Sequence, residues 1–318
     1  MGLFVNMPPV INRKTSILTA IEGYLRAKDM RKQLFFISLI VLANLGLCAC
    51  NQSTHTLAYG QAAITYGQII DLHSGQMLTD RQLLVKLASA PRLIVGEKHD
   101  NAEHHQIELW LIQNLSLERP QGSVLLEMLT ASQQPRVTQV KNWLKEDPLV
   151  RDSRIQERLS WQKGWPWAMY GGVVSGVLRA SYPLLNANIN RDQVMSLYKN
   201  PRFPEGKNST APAVHAALKE TIVVMHEGNI EGQQLTSMLA IQQQRDRYMA
   251  QQLLSAPPPA LLIAGGYHAS KSIGVPLHMK DLSPSSKPVV LMLAEKGMNI
   301  TVQQADYLWF IAPATEKR

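Results

Sequence analysis

Four short apolar runs break off into polar side chains that can carry chemistry, and this pattern limits the fold more than any other feature. Leu93-Ile-Val95 runs into Gly96, then Glu97 and His99. Val124-Leu-Leu126 ends in Glu127, and Pro183-Leu-Leu185 leads to Asn186 and Asn188. Leu261-Leu-Ile-Ala264 ends in Gly265-Gly-Tyr-His268. Short, near-continuous apolar runs separated by helical patterns are the signature of strands buried on both faces. Gly96 reads as a tight turn after the first run. Asp100 or Asn101 can then cap a helix whose Ile107, Leu111 and Leu115 recur every fourth residue. Open parallel sheets bind ligands outside the carboxyl ends of their strands. The four runs therefore predict a site along one edge of a three-layer α/β fold, its mainly parallel sheet flanked by helices.

The rest of the chain fits around that sheet. Gly67 to Asp71 reads as a strand, His73-Ser-Gly75 as its turn, and Thr79 as the cap of a helix with Leu83, Leu84 and Leu87 on one face. From about 132 to 182 polar helical stretches alternate with Trp143, Trp161, Trp165, Trp167 and Tyr170, which predicts a helical insertion lying over the sheet edge. Lys199 to Ala213 reads as a surface loop. Val214 to Leu254 reads as helix with breaks at Gly228 and Gly232, and Pro288 to Leu293 as the last core strand.

At 318 residues and 45% hydrophobic, the chain can bury a full core. Six basic and two acidic residues precede Cys50, so the part from Cys50 onward carries +4 of the formal +8. With no basic stripe, nucleic acid is excluded as the expected partner. The two cysteines, Cys48 and Cys50, allow no disulfide framework or Cys-based zinc site beyond them. Met30-Arg-Lys32 is a positive n-region and Leu34 to Leu47 an apolar h-region. Leu47-Cys-Ala-Cys50 fits a bacterial lipoprotein cleavage site with Cys50 as the lipidated residue. Asn51 after it resembles signals for outer-membrane delivery. The expected organisation is an extension over 1–29 that precedes the signal and leaves Met1 or Met30 as the start. A signal peptide over 30–49, a linker over 50–62 and an α/β domain over 63–318 follow.

Glu97 and His99, with His268 at the same edge, can act as metal ligands or as a general base and its orienting partner. Glu127, preceded by three apolar residues, is costly to bury without a partner, and Arg245 is the candidate for a structural ion pair. His104 and Glu108 stand at i, i+4, a spacing at which solvated polar pairs are common, so Glu108 reads as solvent-facing. His226-Glu-Gly-Asn lacks the second His of a zinc helix motif.

Gly96-Glu-Lys-His-Asp-Asn with His104-His105 resembles the opening motif of the ChaN-like haem-binding lipoproteins, in a superfamily with the Tiki and TraB proteins and erythromycin esterase. Gly67 to Gly75, Glu127-Met128, Trp167-Ala-Met-Tyr170, Ala187-Asn188, Arg245-Asp-Arg-Tyr-Met-Ala250 and Gly265-Gly-Tyr-His268 with Gly274-Val-Pro276 resemble its other motifs, in order. Lys98 stands where a small or hydroxyl residue is more usual, and Tyr267 where a small one is.

The resemblance implies haem binding for iron uptake by a periplasm-facing outer-membrane lipoprotein. It implies a homodimer, an outer-membrane haem receptor as partner, and a tyrosine from a helical subdomain on the iron. Tyr170 and Tyr267 are the candidate ligands, Tyr being a known axial ligand. His99, His268, Lys98 and His104 are candidate contacts, the last two for the propionates. Lys98 beside Glu97 could crowd or neutralise a metal site there, its positive charge competing with a cation, so no metal ion is expected. The rival functions are a metal-dependent hydrolase using Glu97, His99, Glu127 and His268, and an envelope scaffold without catalysis.

Overall fold

The computed structural model describes residues 67–311, so Cys50, the apolar h-region and the linker lie outside the described residues. The eight strands among the described residues are β1 (Ile69–Asp71), β2 (Met77–Leu78), β3 (Arg92–Glu97), β4 (Ser123–Thr130), β5 (Leu184–Asn188), β6 (Ala260–Gly265), β7 (Val289–Glu295) and β8 (Tyr307–Ile311). They form one sheet in the order β2-β1-β8-β7-β3-β6-β4-β5. The six strands from β8 to β5 are parallel, and β1 runs antiparallel to both β8 and β2. The predicted α/β class is therefore the observed one. The strand β8 was not anticipated: the last core strand is Tyr307–Ile311, not the Pro288 run. It enters the sheet between β7 and β1, with Trp309 1% exposed.

Alternation along the central strands separates two apolar layers. Leu93, Val95, Val124, Leu126, Leu261 and Ile263 face one core, shared with α1 (Asp80–Ala88), α2 (Ala102–Glu118), α3 (Gln134–Glu146), α4 (Asp152–Arg158) and α5 (Trp167–Arg179). Ile94, Leu125, Leu262 and Val290 face the other. There they meet Met249 and Leu253 of α8 (Gly232–Ser255), Ala269 of α9 (Gly266–Ala269) and Met279 of α10 (Val275–Leu282). α6 (Arg191–Lys199) and α7 (Pro212–Met225) complete the helices.

Local chemistry sets the helix starts. The Thr79 hydroxyl accepts from the Gln82 amide while the Gln82 side chain accepts from the Thr79 amide, a capping box at α1. Of the two candidate caps for α2, Asn101 takes the position and accepts from the Glu103 and His104 amides. The helical stretch over 134–179 exists as expected. Its Val137, Ile155, Trp161, Trp165 and Tyr170 belong to the same core as the sheet, so its aromatics are packed into the domain and do not form an open platform.

Gly96 is not a turn residue. It lies inside β3 because nothing larger fits: a Cβ there would come within 2.6 Å of Met292 Sδ and 2.7 Å of Ala269 Cβ. Gly96→Ala is expected to cost roughly 1–3 kcal/mol through overpacking, read as a lower midpoint in urea with an unchanged slope.

Candidate functional site

Parallel pairing registers Glu97 of β3 with Gly265 of β6, and β6 continues beside β4. Glu97 on β3, Glu127 on β4 and His268 just past β6 are thus brought to one sheet edge, as the polar run-ends predicted. Glu127 sits inside β4, at a register shift between Leu126 and Thr130, and not at a strand end. His268 lies in the single turn of α9, whose start at Gly266 the sequence did not announce.

The polar groups form a row across the end of the sheet, alternating acid and imidazole. At one end, His268 Nδ1 is 2.5 Å from Asp246 Oδ1 of α8. Its Nε2 is 3.4 Å from Glu127 Oε1. Glu127 Oε2 accepts from the Gly265 amide at 2.8 Å and lies 3.9 Å from His99 Nε2. His99 Nδ1 in turn bonds Glu97 Oε1. Gly265 leaves room for this imidazole, since a Cβ there would sit 2.8 Å from His99 Nε2. Trp165 covers the His99 ring edge-on at 4.9 Å.

Electrostatics follow from burial among opposite charges. Burial alone would depress the His268 pKa, yet the Glu127 and Asp246 carboxylates carry it up to about 9. Burial would raise Glu127, but His268 and His99 hold it well below the ordinary carboxylate range. For Asp246 burial wins, and its pKa is raised. His99 is raised by Glu127 and Glu97 against the effect of burial. The flanking carboxylates thus favour the protonated, donating form of His268.

Arg245 is not the ion partner of Glu127. It makes no ion pair among the described residues, its Nε lacks a hydrogen-bond partner, and Glu127 acts on it only through space. One position along α8 turns a side chain by about 100°, and Asp246, not Arg245, reaches the row. Asp246 was the residue the sequence reading missed. The available signal was its place on the apolar stripe of α8, in step with Leu239, Gln243, Ala250 and Leu253, all buried.

Four further expectations are corrected. Tyr170 is 1% exposed, its ring 4.3 Å from His105 and 5.5 Å from Trp165. Its hydroxyl donates toward Glu97 Oε1 and the His99 carbonyl, both at 3.3 Å. Burial and the Glu97, Glu108 and Glu127 carboxylates drive its pKa upward, so a phenolate is disfavoured and no porphyrin face reaches it. His104 is fully buried, with Nδ1 accepting from the Lys98 amide at 2.8 Å, and cannot contact a propionate at a rim. Glu108 is fully buried and partnered by His105, Nδ1 to Oε2 at 3.0 Å. Burial pushes its pKa up to about 7. Lys98 does not neutralise Glu97: its ammonium reaches Glu295 at 3.0 Å and Asp100 at 3.5 Å.

Tyr267 is 48% exposed, and the His99 side chain 24%. Asn186 and Asn188 serve structure. Asn188 Nδ2 donates to the Glu127 carbonyl at 3.0 Å, while Asn186 bonds Gln134 and Tyr248.

The family model described as haem-binding uptake, Tiki superfamily, ChaN, matches residues 83–279. Among solved structures, that of cofacial haem binding to ChaN of Campylobacter jejuni is similar at 29% identity and a TM-score of 0.72. It covers 78% of this chain and 98% of that one. The type III effector HopBA1 matches at 10% identity and a TM-score of 0.41, over 72% of this chain and 91% of that one. An erythromycin esterase mutant in its open conformation matches at 16% and 0.41, over 73% and 78%. No curated protein matches the sequence.

Proposed function

The chain belongs to the ChaN family of haem-binding uptake proteins in the Tiki superfamily, and on that premise we propose that it binds haem through Tyr267 at the carboxyl edge of its sheet. The observation that carries the reading is the match over 98% of a Campylobacter jejuni ChaN chain whose structure is described by cofacial haem binding. The residues present fit the group. Tyr267 offers a half-exposed phenol directly after Gly265 and Gly266, which put no side chain between it and an approaching ring. Haem would supply a ferric iron, which Tyr267 would hold through its phenolate oxygen. His99 lies partly open at the same edge, and the exposed Lys98 ammonium, which also pairs with Glu295 and Asp100, is a candidate partner for a propionate.

An open edge suits a cofacial pair. Two stacked rings cover one another's apolar faces, so a homodimer supplies the burial that a deep pocket would otherwise give. Protonated His268 favours binding over general-base hydrolysis. Delivery of the porphyrin to an outer-membrane receptor fits a periplasm-facing lipoprotein anchored at Cys50, and Asn51 supports the outer-membrane address. No helix among the described residues is long and apolar enough to cross a membrane. Cys50→Ser is expected to leave the precursor uncleaved and released from the membrane fraction. Wild-type fractionation of that variant would remove the anchor from the proposal.

The binding test is a haemin titration of the purified chain. It should give a saturable Soret shift with high-spin ferric bands and a stoichiometry of one haem per chain. A linear, non-saturating response would overturn the reading.

A further inference from the structure

Behind the acid-imidazole row, on the α2 side of the sheet, lies a second group of titratable side chains that haem binding does not use. Glu97, His105 and Glu108 each place one ligand atom within 4.8 Å of the others, and they are 4%, 4% and 0% exposed. Glu97 Oε2 and Glu108 Oε1 have no hydrogen-bond partner, although both are buried. Such oxygens are expensive to leave bare in an apolar core. The imidazole is set up as a ligand. His105 Nε2 is 3.2 Å from the His99 carbonyl oxygen, which can only accept, so Nε2 carries the proton. That leaves the Nδ1 lone pair facing Glu108 Oε2 at 3.0 Å. A lone pair and a carboxylate at that distance repel unless a positive centre lies between them. The outer contacts also resemble those around a metal site. Tyr170 and His99 hold Glu97 Oε1, and a backbone carbonyl fixes the His105 tautomer.

We propose that Glu97, His105 and Glu108 form a buried site for one divalent transition-metal cation of the Zn²⁺ or Mn²⁺ class. Two carboxylates and a neutral imidazole make the occupied cluster electrically neutral, which suits a dry setting, and the mixed nitrogen and oxygen donors fit those ions. The Lys98 ammonium, turned toward Glu295, does not compete. The site shares Glu97 with the acid-imidazole row but includes neither Tyr267 nor Lys98, so failure of haem binding would leave it testable on its own.

The test is a titration of the haem-free full chain, dialysed against EDTA, with Zn²⁺ and with Co²⁺ as a spectroscopic probe. One equivalent should bind saturably, Co²⁺ should show d–d bands of nitrogen and oxygen ligation, and bound Zn²⁺ should raise the melting temperature. Glu108→Gln, which keeps shape and removes charge, should weaken binding at least about 100-fold, or about 2.7 kcal/mol. His268→Gln, at the other end of the row, should leave it within a few-fold. Absence of one-to-one binding by the wild-type chain overturns the proposal, with a shared proton then filling the gap. Loss of binding in His268→Gln but not in Glu108→Gln overturns it too, moving the ion to the row at the edge. Should Glu108→Gln fail to fold, His105→Gln with the wild-type Co²⁺ spectrum decides in the same way.

Discussion

Tyr267→Phe is expected to remove the phenolate charge-transfer band of the haemin complex and to weaken haemin binding by about 100-fold or more, a loss of at least ~2.7 kcal/mol. The substitution deletes one oxygen from a side chain that is 48% exposed and whose hydroxyl has no hydrogen-bond partner among the described residues, so stability should stay within about 0.5 kcal/mol of wild type. Tyr170→Phe should do the reverse. Its hydroxyl is one of two partners of Glu97 Oε1, beside His99 Nδ1, and one of two of the His99 carbonyl, beside His105 Nε2, and losing it should cost roughly 0.5–1.5 kcal/mol. Haemin spectra should be unchanged in that variant. The pair of variants, followed by absorption titration and by urea denaturation, separates the two tyrosines. A charge-transfer band that survives Tyr267→Phe and vanishes in Tyr170→Phe would mean that the helical layer opens to admit the porphyrin, against the packing described above.

The second large effect is a pH dependence of stability centred on His268. Its pKa rises from an ordinary 6.5 to about 9 in the fold because Glu127 and Asp246 flank it. The folded state therefore binds a proton that the unfolded chain releases earlier. The resulting stabilisation is complete below pH 6.5 and is lost as pH rises through about 9. Its size is on the order of 3 kcal/mol. Denaturant unfolding of wild type and His268→Gln from pH 6 to 10 isolates it, since titrations elsewhere in the chain cancel in the difference. The gap between the two proteins should shrink steadily across that interval. A gap that stays constant, or widens with pH, would show that His268 is neutral in the folded protein.

Much of this architecture could be read from residue order, and the failures have physical causes. The buried strands, the Thr79 cap and the meeting of Glu97, His99, Glu127 and His268 at one edge follow from short apolar runs with polar ends. What periodicity could not supply was the direction of a side chain relative to its neighbours. Glu108 was read as a helix-surface residue and Asp246 was given no role, yet both lie on the buried stripe of their helices. A carboxylate there is tolerated because an imidazole meets it, His268 from beyond β6 for Asp246 and His105 one turn back on the same helix for Glu108. Arg245 failed as a partner for a similar reason, one residue of helix rotation. Tyr170 was favoured by its aromatic setting, and that same setting buries it. The run Tyr307 to Ile311 carries no polar end and closes no obvious unit, so it did not announce itself as a strand. Gly96 was assigned to a turn because glycine after an apolar run usually marks one; here the crowding of Met292 and Ala269 explains it.

The bond from the Gly265 amide to Glu127 ties positions 138 residues apart, and the strands that carry them pair in parallel. Parallel pairing across such a span forms late in folding, because the loop must close before any contact repays it. A growing chain that has not yet exposed β6 therefore holds Glu97, His99 and Glu127 with no Gly265 amide and no His268 to balance their charge. Cutting the chain anywhere between 128 and 264 separates the same partners. The row at the sheet edge is thus complete only on a chain that has folded as a whole.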